Sequence, residues 1–336
     1  MKIAYVTPYQ GEESIVKELV PEHEVYFLAN PITDSVPVEI ADAEVLSVFV
    51  DSKVTTEMID AMPNLKVIAL RSTGFDHVAV AHAQAKGIQV CYVPHYGSQT
   101  VAEHTFALML ELSRKAYPMY ELLRSNGDLN VAGHEGFDLC GKTIAVIGTG
   151  AIGKRVCEIA HGFRMKIKAF DLYPNTEFAA SLGVEYGSLE EILAVADIVT
   201  LHVPSTPENF HILNAETLAK TKKGAYVINT ARGTLIDTVA LIHSLKAGHL
   251  AGAGLDVYEG EEYMKDEMKL IDATQDFDVA VWRTFAAEHE LLDMPNVIMT
   301  PHMAFNTKEA KREITETTTT NISKALAGEP QFLVVL

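Results

Sequence analysis

The chain has 336 residues, 48% of them hydrophobic, which is ample for a large core and more naturally read as two packed domains. Its 27 Lys and Arg stand against 45 Asp and Glu, a formal charge of −18 spread over both halves, so nucleic acid is repelled on average and an acidic substrate must be captured by a specific buried cation. No apolar run reaches the roughly eighteen residues of a membrane helix, the N-terminus reads as a strand, and Cys91, Cys140 and Cys157 form no metal-type pair, so a cytoplasmic protein with reduced thiols is expected.

Short apolar runs recur through the first hundred residues, at Ile3 to Val6, Val25 to Leu28, Val45 to Val50, Val67 to Leu70 and Ile88 to Val93. Such runs suit parallel strands buried on both faces. Between them, Ser14 to Leu19 and Thr56 to Met62 carry helical spacing closed by Pro or a polar turn, which makes a βα repeat. Val101 to Leu112 is a strongly apolar helix suited to a buried connection or a twofold interface, and Pro118 is expected to kink or end the segment beyond it. A second series of strands is expected at Thr143 to Ile147, Lys166 to Phe170, Ile198 to Val203, Tyr226 to Asn229, Gly252 to Val257 and Val297 to Met299. The helical tail from Lys308 to Leu326 is expected to cross back and complete the first domain. The fold class is therefore α/β: two doubly wound parallel-sheet domains with a cleft between them, a flavodoxin-like one from 1–100 and 302–336 and a Rossmann-type one over 101–301.

Gly148, Gly150 and Gly153 form G-T-G-A-I-G, with Ala151 and Ile152 inside it, directly after the strand Thr143 to Ile147 and before the helical stretch Lys154 to Phe163. Alone, this pattern is weak. In this context the glycines allow a tight turn and close backbone approach, so a pyrophosphate can sit against the helix N-terminus. Asp171 ends the next strand eighteen residues after Gly153, where a carboxylate accepts the hydroxyls of an adenosine ribose and repels a 2′-phosphate. The cofactor expected is NAD.

Open α/β sheets bind ligands outside the carboxyl ends of their strands. Three residues fall there: Arg232 in N-T-A-R-G, Glu261 in L-D-V-Y-E-G-E and His302 in M-T-P-H. Each taken singly could be structural. Together their types match one reaction, because a guanidinium binds a carboxylate and donates toward a neighbouring carbonyl, while an imidazole oriented by a carboxylate gives or takes a hydroxyl proton. No metal is required.

The motifs R-S-T-G-F-D at Arg71 to Asp76, V-P-H-Y and V-A-E-H between Val93 and His104, G-T-G-A-I-G, L-H-V-P at Leu201 to Pro204, N-T-A-R-G-T-L-I-D-T at Asn229 to Thr238, G-L-D-V-Y-E at Gly254 to Glu259 and T-P-H-M-A-F at Thr300 to Phe305 run in order over nearly the whole chain. In them the sequence resembles the D-isomer-specific 2-hydroxyacid dehydrogenase family, and within it the D-lactate branch. The resemblance implies a discontinuous substrate domain, an NAD-binding domain, a small 2-hydroxy or 2-oxo acid as substrate, and a homodimer. It places catalysis on Arg232, Glu261 and His302, and the substrate carboxylate on the backbone of Thr73 and Gly74. Tyr96 and Phe305 match pocket positions, where two large rings leave room for a short side chain. Val203, Pro204, Thr230, Ala231 and Asp256 join the cofactor-binding set on the same basis. His95 and Gly97-Ser98-Gln99 depart from the family pattern, and Gly260 to Pro295 carries a long acidic and aromatic insertion with Trp282 and Phe285, of the lactate type. The alternatives are a 2-hydroxyisocaproate-type enzyme, or an NAD-sensing binding protein of the corepressor kind.

Overall fold

The computed structural model describes residues 1–261, 264 and 279–335. They form two compact units, Met1–Tyr96 with Phe305–Leu336, and Gly97–Ala304. The first division lies at 96/97, just before the expected 100/101, because the apolar helix begins at Ser98 and belongs wholly to the second unit; the second lies at 304/305, just past the expected 301/302, where Met303 N and Ala304 N bond to Asp256 of the second unit.

In the first unit, strands β1 (Lys2–Val6), β2 (Glu24–Leu28), β3 (Val45–Val48), β4 (Val67–Leu70) and β5 (Gln89–Cys91) form a parallel sheet in the order β2-β1-β3-β4-β5. Their apolar runs divide by alternation. Ala4, Val6, Leu46, Val48, Ile68 and Leu70 enter one core, whereas Ile3, Tyr5, Val45, Val67 and Ala69 enter the core on the other face. Helices α1 (Glu12–Leu19), α2 (Thr56–Asp60) and α3 (Val80–Ala85) connect the strands, and the C-terminal helix Lys308–Leu326 packs on β4 and β5. The threonine run in that helix is partly explained by packing: Thr315 and Thr319 bond back to carbonyls of the preceding turn, which lets small hydroxyl residues be buried.

In the second unit, β6 (Thr143–Ile147), β7 (Lys166–Phe170), β8 (Glu185–Tyr186), β9 (Ile198–Leu201), β10 (Ala225–Asn229), β11 (Leu250–Leu255) and β12 (Val297–Met299) form a parallel sheet in the order β12-β11-β10-β9-β6-β7-β8. The described helices are α4 (Ser98–Arg114), α5 (Ala116–Asn126), α6 (Ala151–Gly162), α7 (Thr176–Leu182), α8 (Leu189–Val195), α9 (Ala215–Ala219), α10 (Thr238–Lys246) and α11 (Val279–Asp293). Val101, Ala102, Phe106, Leu108, Met109 and Leu112 bury α4 against α6 and the β10–β12 edge of the sheet, so this helix is core within its unit. Pro118 neither kinks nor ends α5. The break lies at Lys115, in the left-handed region with φ 52°, and Pro118 sits in the first turn of α5, where a missing N–H costs nothing. Two-residue β8 carries no apolar run and was not among the expected strands. Trp282 and Phe285 of the insertion lie edge to face on α11, with ring centroids 6.4 Å apart, while 262–263 and 265–278 lie outside the described residues. Among the described residues no helix is long and apolar enough to cross a membrane.

Candidate active site

The glycine-rich turn follows from close packing at the end of β6. Gly148 has φ +92°, and a Cβ there would lie 2.6 Å from the His202 carbonyl oxygen, while one on Gly153 would lie 1.9 Å from that of Gly148. A larger residue at Gly148 would force the β6 and β9 ends apart, and one at Gly153 would push α6 away from the turn. Gly150 is extended and caps α6 without a side-chain hydrogen bond, so the leading N–H groups of Ala151, Ile152 and Gly153 are available to an anion. Asp171 stands just past β7. Its Oδ2 accepts from Thr149 N at 2.6 Å and Thr149 Oγ1 at 2.8 Å, and Oδ1 accepts from Tyr173 N at 2.9 Å. Burial raises this carboxyl's pKa, but the hydrogen bonds and Lys154 outweigh it and hold the group below its usual range, so it is charged at neutral pH. This set fits a dinucleotide whose ribose hydroxyls meet an acid.

Val203 and Pro204 leave the end of β9 beside this turn, which His202 N ties down by donating to Ile147 O at 2.7 Å. Burial lowers the His202 imidazole to about 3, so the ring is neutral, with Nε2 paired to Thr200 Oγ1 at 2.9 Å. Thr230 is buried and its hydroxyl turns onto Thr105 of α4 at 2.9 Å, which leaves its backbone as the group able to meet a cofactor. Asn229 folds the next turn, accepting from Ala231 N at 3.0 Å and donating to Arg232 O at 2.8 Å.

Arg232 begins the turn after β10 in extended backbone, with Nη1 donating to Ala231 O at 2.7 Å. Its neighbour Gly233 lies against the Tyr258–Glu259 backbone so closely that a Cβ would be 2.1 Å from Tyr258 C. Glu259 closes the same junction, accepting from Thr238 N and Oγ1 on one oxygen and pairing with His211 Nε2 at 2.7 Å on the other. The turn carrying Arg232 is thereby set against the segment that leads to Glu261. Both Glu261 oxygens lie 3.0 Å from His302 Nδ1, so the expected carboxylate and imidazole meet.

His302 itself has φ 50°, an uncommon backbone for a residue with a side chain, and its N–H donates to Asp256 O and Thr300 O. The Asp256 side chain explains how that loop is held. Expected at the cofactor, this carboxylate is fully buried and is spent on the His302 loop: Oδ1 accepts from Thr300 Oγ1 at 2.5 Å and Met303 N at 2.9 Å, and Oδ2 from Ala304 N at 2.8 Å. His104 of α4 adds a contact at 3.3 Å to Oδ1. Burial raises the Asp256 pKa, and His104, Thr300 and the two amides outweigh it to hold the carboxyl low. Neither His104 nor this use of Asp256 was read from the sequence, although V-A-E-H marked the position.

In the first unit, the residues following β4 and β5 form one corner. Thr73 Oγ1 donates to Val93 O and Ser72 Oγ to Gly74 O, each at 2.7 Å, so side chains fold the Thr73–Gly74 turn. Tyr96 closes the segment after β5, and Phe305 packs on Phe49 with ring centroids 5.1 Å apart. Phe49 was missed in the sequence, as was Tyr9, whose ring meets it edge-on at 5.7 Å. Both stand past strand ends, the same signal that found Arg232, Glu261 and His302. Arg71 is fully buried and engaged by Glu12, Val6 O and Thr7 O, hence structural.

A parallel sheet with a glycine-rich turn, an acid past its second strand and a histidine–glutamate pair defines a class, the nicotinamide-dependent oxidoreductases. Comparison places the chain within it. The profile of the D-isomer specific 2-hydroxyacid dehydrogenase, NAD binding domain, matches residues 106–304, and the chain belongs to that family of NAD-dependent oxidoreductases. It is 40% identical over 295 residues to a 2-hydroxyacid dehydrogenase homolog of Haemophilus influenzae, covering 87% of this chain and 86% of that one. It is 35% identical to the D-lactate dehydrogenase of Escherichia coli over 98% of both. The crystal structure of D-lactate dehydrogenase from Aquifex aeolicus with NAD and lactic acid superposes with a TM-score of 0.87 at 33% identity, covering 97% of this chain and 96% of that one.

Proposed function

We propose that the chain interconverts a short D-2-hydroxy acid and its 2-oxo acid, D-lactate and pyruvate foremost. The observation that carries this is the His302 ring with Nδ1 held by both oxygens of Glu261, which leaves Nε2 to exchange the substrate's proton. Arg232 binds the substrate carboxylate and polarises the C2 carbonyl, and the Thr73–Gly74 backbone donates to the same carboxylate. On reduction, His302 gives its proton to the C2 oxygen; on oxidation it takes that proton back, with the Glu261 charge beside it. NAD, when bound, accepts or supplies the hydride. The Phe49, Tyr96 and Phe305 rings keep the C3 substituent short. The enzyme acts as a homodimer through α5, a helix with no buried residue that exposes Tyr117, Tyr120 and Leu123 and is followed by exposed Leu129 and Val131.

The test is NADH consumption with pyruvate, hydroxypyruvate, glyoxylate, phenylpyruvate and 2-ketoisocaproate, with NADPH as control. Pyruvate-sized acids should outrun branched and aromatic ones, and NADH should outrun NADPH. His302→Ala should cut kcat by roughly a hundredfold or more while NADH binding persists. Faster turnover of 2-ketoisocaproate than of pyruvate would replace the lactate reading.

A further inference from the structure

In a sheet ordered β2-β1-β3-β4-β5, the direction of strand addition reverses between β1 and β3, and ligands bind outside the carboxyl ends of the strands at such a reversal. Two aromatic residues flank this point. Phe49 directly follows β3, and Tyr9 lies three residues past the end of β1. Their rings meet edge to face at 5.7 Å and 75°, and Phe49 in turn meets Phe305. Tyr9 is firmly placed: its N–H donates to Glu12 Oε2 at 2.7 Å, and Lys311 Nζ lies over the face of its ring, 4.9 Å from the centroid.

Yet the Tyr9 hydroxyl is buried with no hydrogen-bond partner among the described residues. The neighbouring Tyr5 shows what a satisfied phenol looks like here, donating to Glu12 Oε1 at 2.6 Å. Glu12 has nothing left for Tyr9, since Oε1 also accepts from Thr315 and Oε2 from Arg71 and Tyr9 N. Burial pushes the Tyr9 phenol well up, so it stays protonated and is a donor in want of an acceptor. Of the charged and polar groups around this hydroxyl Arg71 acts most strongly, against Glu12, Tyr96 and Asp51; Arg71 is paired with Glu12, and Lys311 over the ring stands against Asp51, so the cations and carboxylates around the phenol are equal in number. With no excess charge to match, a neutral hydroxyl on the ligand is an acceptor that fits.

We propose that Tyr9 is a specificity-determining residue that donates a hydrogen bond to a hydroxyl on C3 of a short 2-oxo acid, so that a 3-hydroxylated acid is accepted alongside pyruvate. The proposal rests on the oxidoreductase reading above. Phe49, whose ring meets that of Tyr9 edge to face, supplies only carbon, and the hydroxyl comes from the adjacent strand end.

The experiment measures kcat/KM for hydroxypyruvate, pyruvate and oxaloacetate with NADH, in the unsubstituted enzyme and in Tyr9→Phe, which keeps the ring and its contact with Phe49. The hydroxypyruvate-to-pyruvate ratio should fall roughly three- to tenfold, the range of one neutral hydrogen bond, with pyruvate changing less than about twofold. The thermal midpoint of the ligand-free variant should be no lower than that of the parent, because the hydroxyl removed has no partner among the described residues. An unchanged ratio overturns the proposal, as does an equal fall for both acids, a lowered midpoint, or a larger loss for oxaloacetate than for hydroxypyruvate. Failure of the unsubstituted enzyme to reduce either acid would overturn the reaction assigned above together with the role of Tyr9; normal pyruvate turnover with an unchanged ratio would overturn Tyr9 alone.

Discussion

Asp256 shows how one buried charge can serve a histidine that its side chain does not touch. Four donors converge on its carboxylate, and two of them are backbone amides of the residues just after His302. An Asn at this position would turn an NH2 group toward at least one N–H donor, leaving a buried group unpaired. Asp256→Asn should therefore cost about 2 kcal/mol or more of stability and lower kcat at least tenfold, measured by urea unfolding and NADH consumption. Because the folded carboxyl titrates below its unfolded value of about 3.9, its contribution is present above that pH and is lost as pH falls through the lower folded value. The gap in stability between parent and variant should thus be flat through neutral pH and narrow only below about pH 4. A gap unchanged down to pH 3, or none at pH 7, would remove Asp256 from this role. Glu261 and His302 were legible in the sequence because each stands past a strand end. The bond network of Asp256 was not, since which way a strand-end carboxylate turns is decided by the loop that packs on it.

At the scale of elements, the junction between the β10 and β11 ends depends on a residue with no side chain. Gly233→Ala would put a methyl carbon 2.1 Å from Tyr258 C and 2.5 Å from Glu259 N, and both obstacles are backbone that cannot rotate away. Relief requires the Arg232 turn to move. The variant should lose roughly 1–3 kcal/mol of stability and, through the displaced guanidinium, at least tenfold in kcat/KM for pyruvate. Activity equal to the parent's would show that the junction tolerates the shift. Strands such as Ile144–Ile147 and Ile198–Leu201 could be read directly because parallel strands covered on both faces are almost wholly apolar, Thr200 being the one hydroxyl in these two. The edge strand Glu185–Tyr186 pairs on one side with β7 and presents exposed or half-buried residues, so nothing in its composition distinguishes it from a turn. Pro118 misled for a related reason: proline breaks a helix interior but fits a first turn, and only the left-handed Lys115 fixes which it is.

For the whole molecule, the charge of −18 opposes close association of copies, so any dimer must be held by apolar surface. The exposed α5 face is the surface proposed for it. Leu123→Asp should convert the dimer to a monomer in light-scattering chromatography while leaving the helical signal of the fold intact; an unchanged mass would place the interface elsewhere. The two units also differ in continuity. Gly97–Ala304 is one uninterrupted stretch, whereas Met1–Tyr96 is completed by residues that arrive at the far end of the chain, and the buried pair of Glu12 and Arg71 takes one of its hydrogen bonds from Thr315. The middle unit can therefore close from one continuous segment, without residues beyond Ala304. The first sheet, although its strands come earliest in the chain, keeps β4 without its covering helix until Lys308–Leu326 docks, a contact of very long sequence separation that is slow to form.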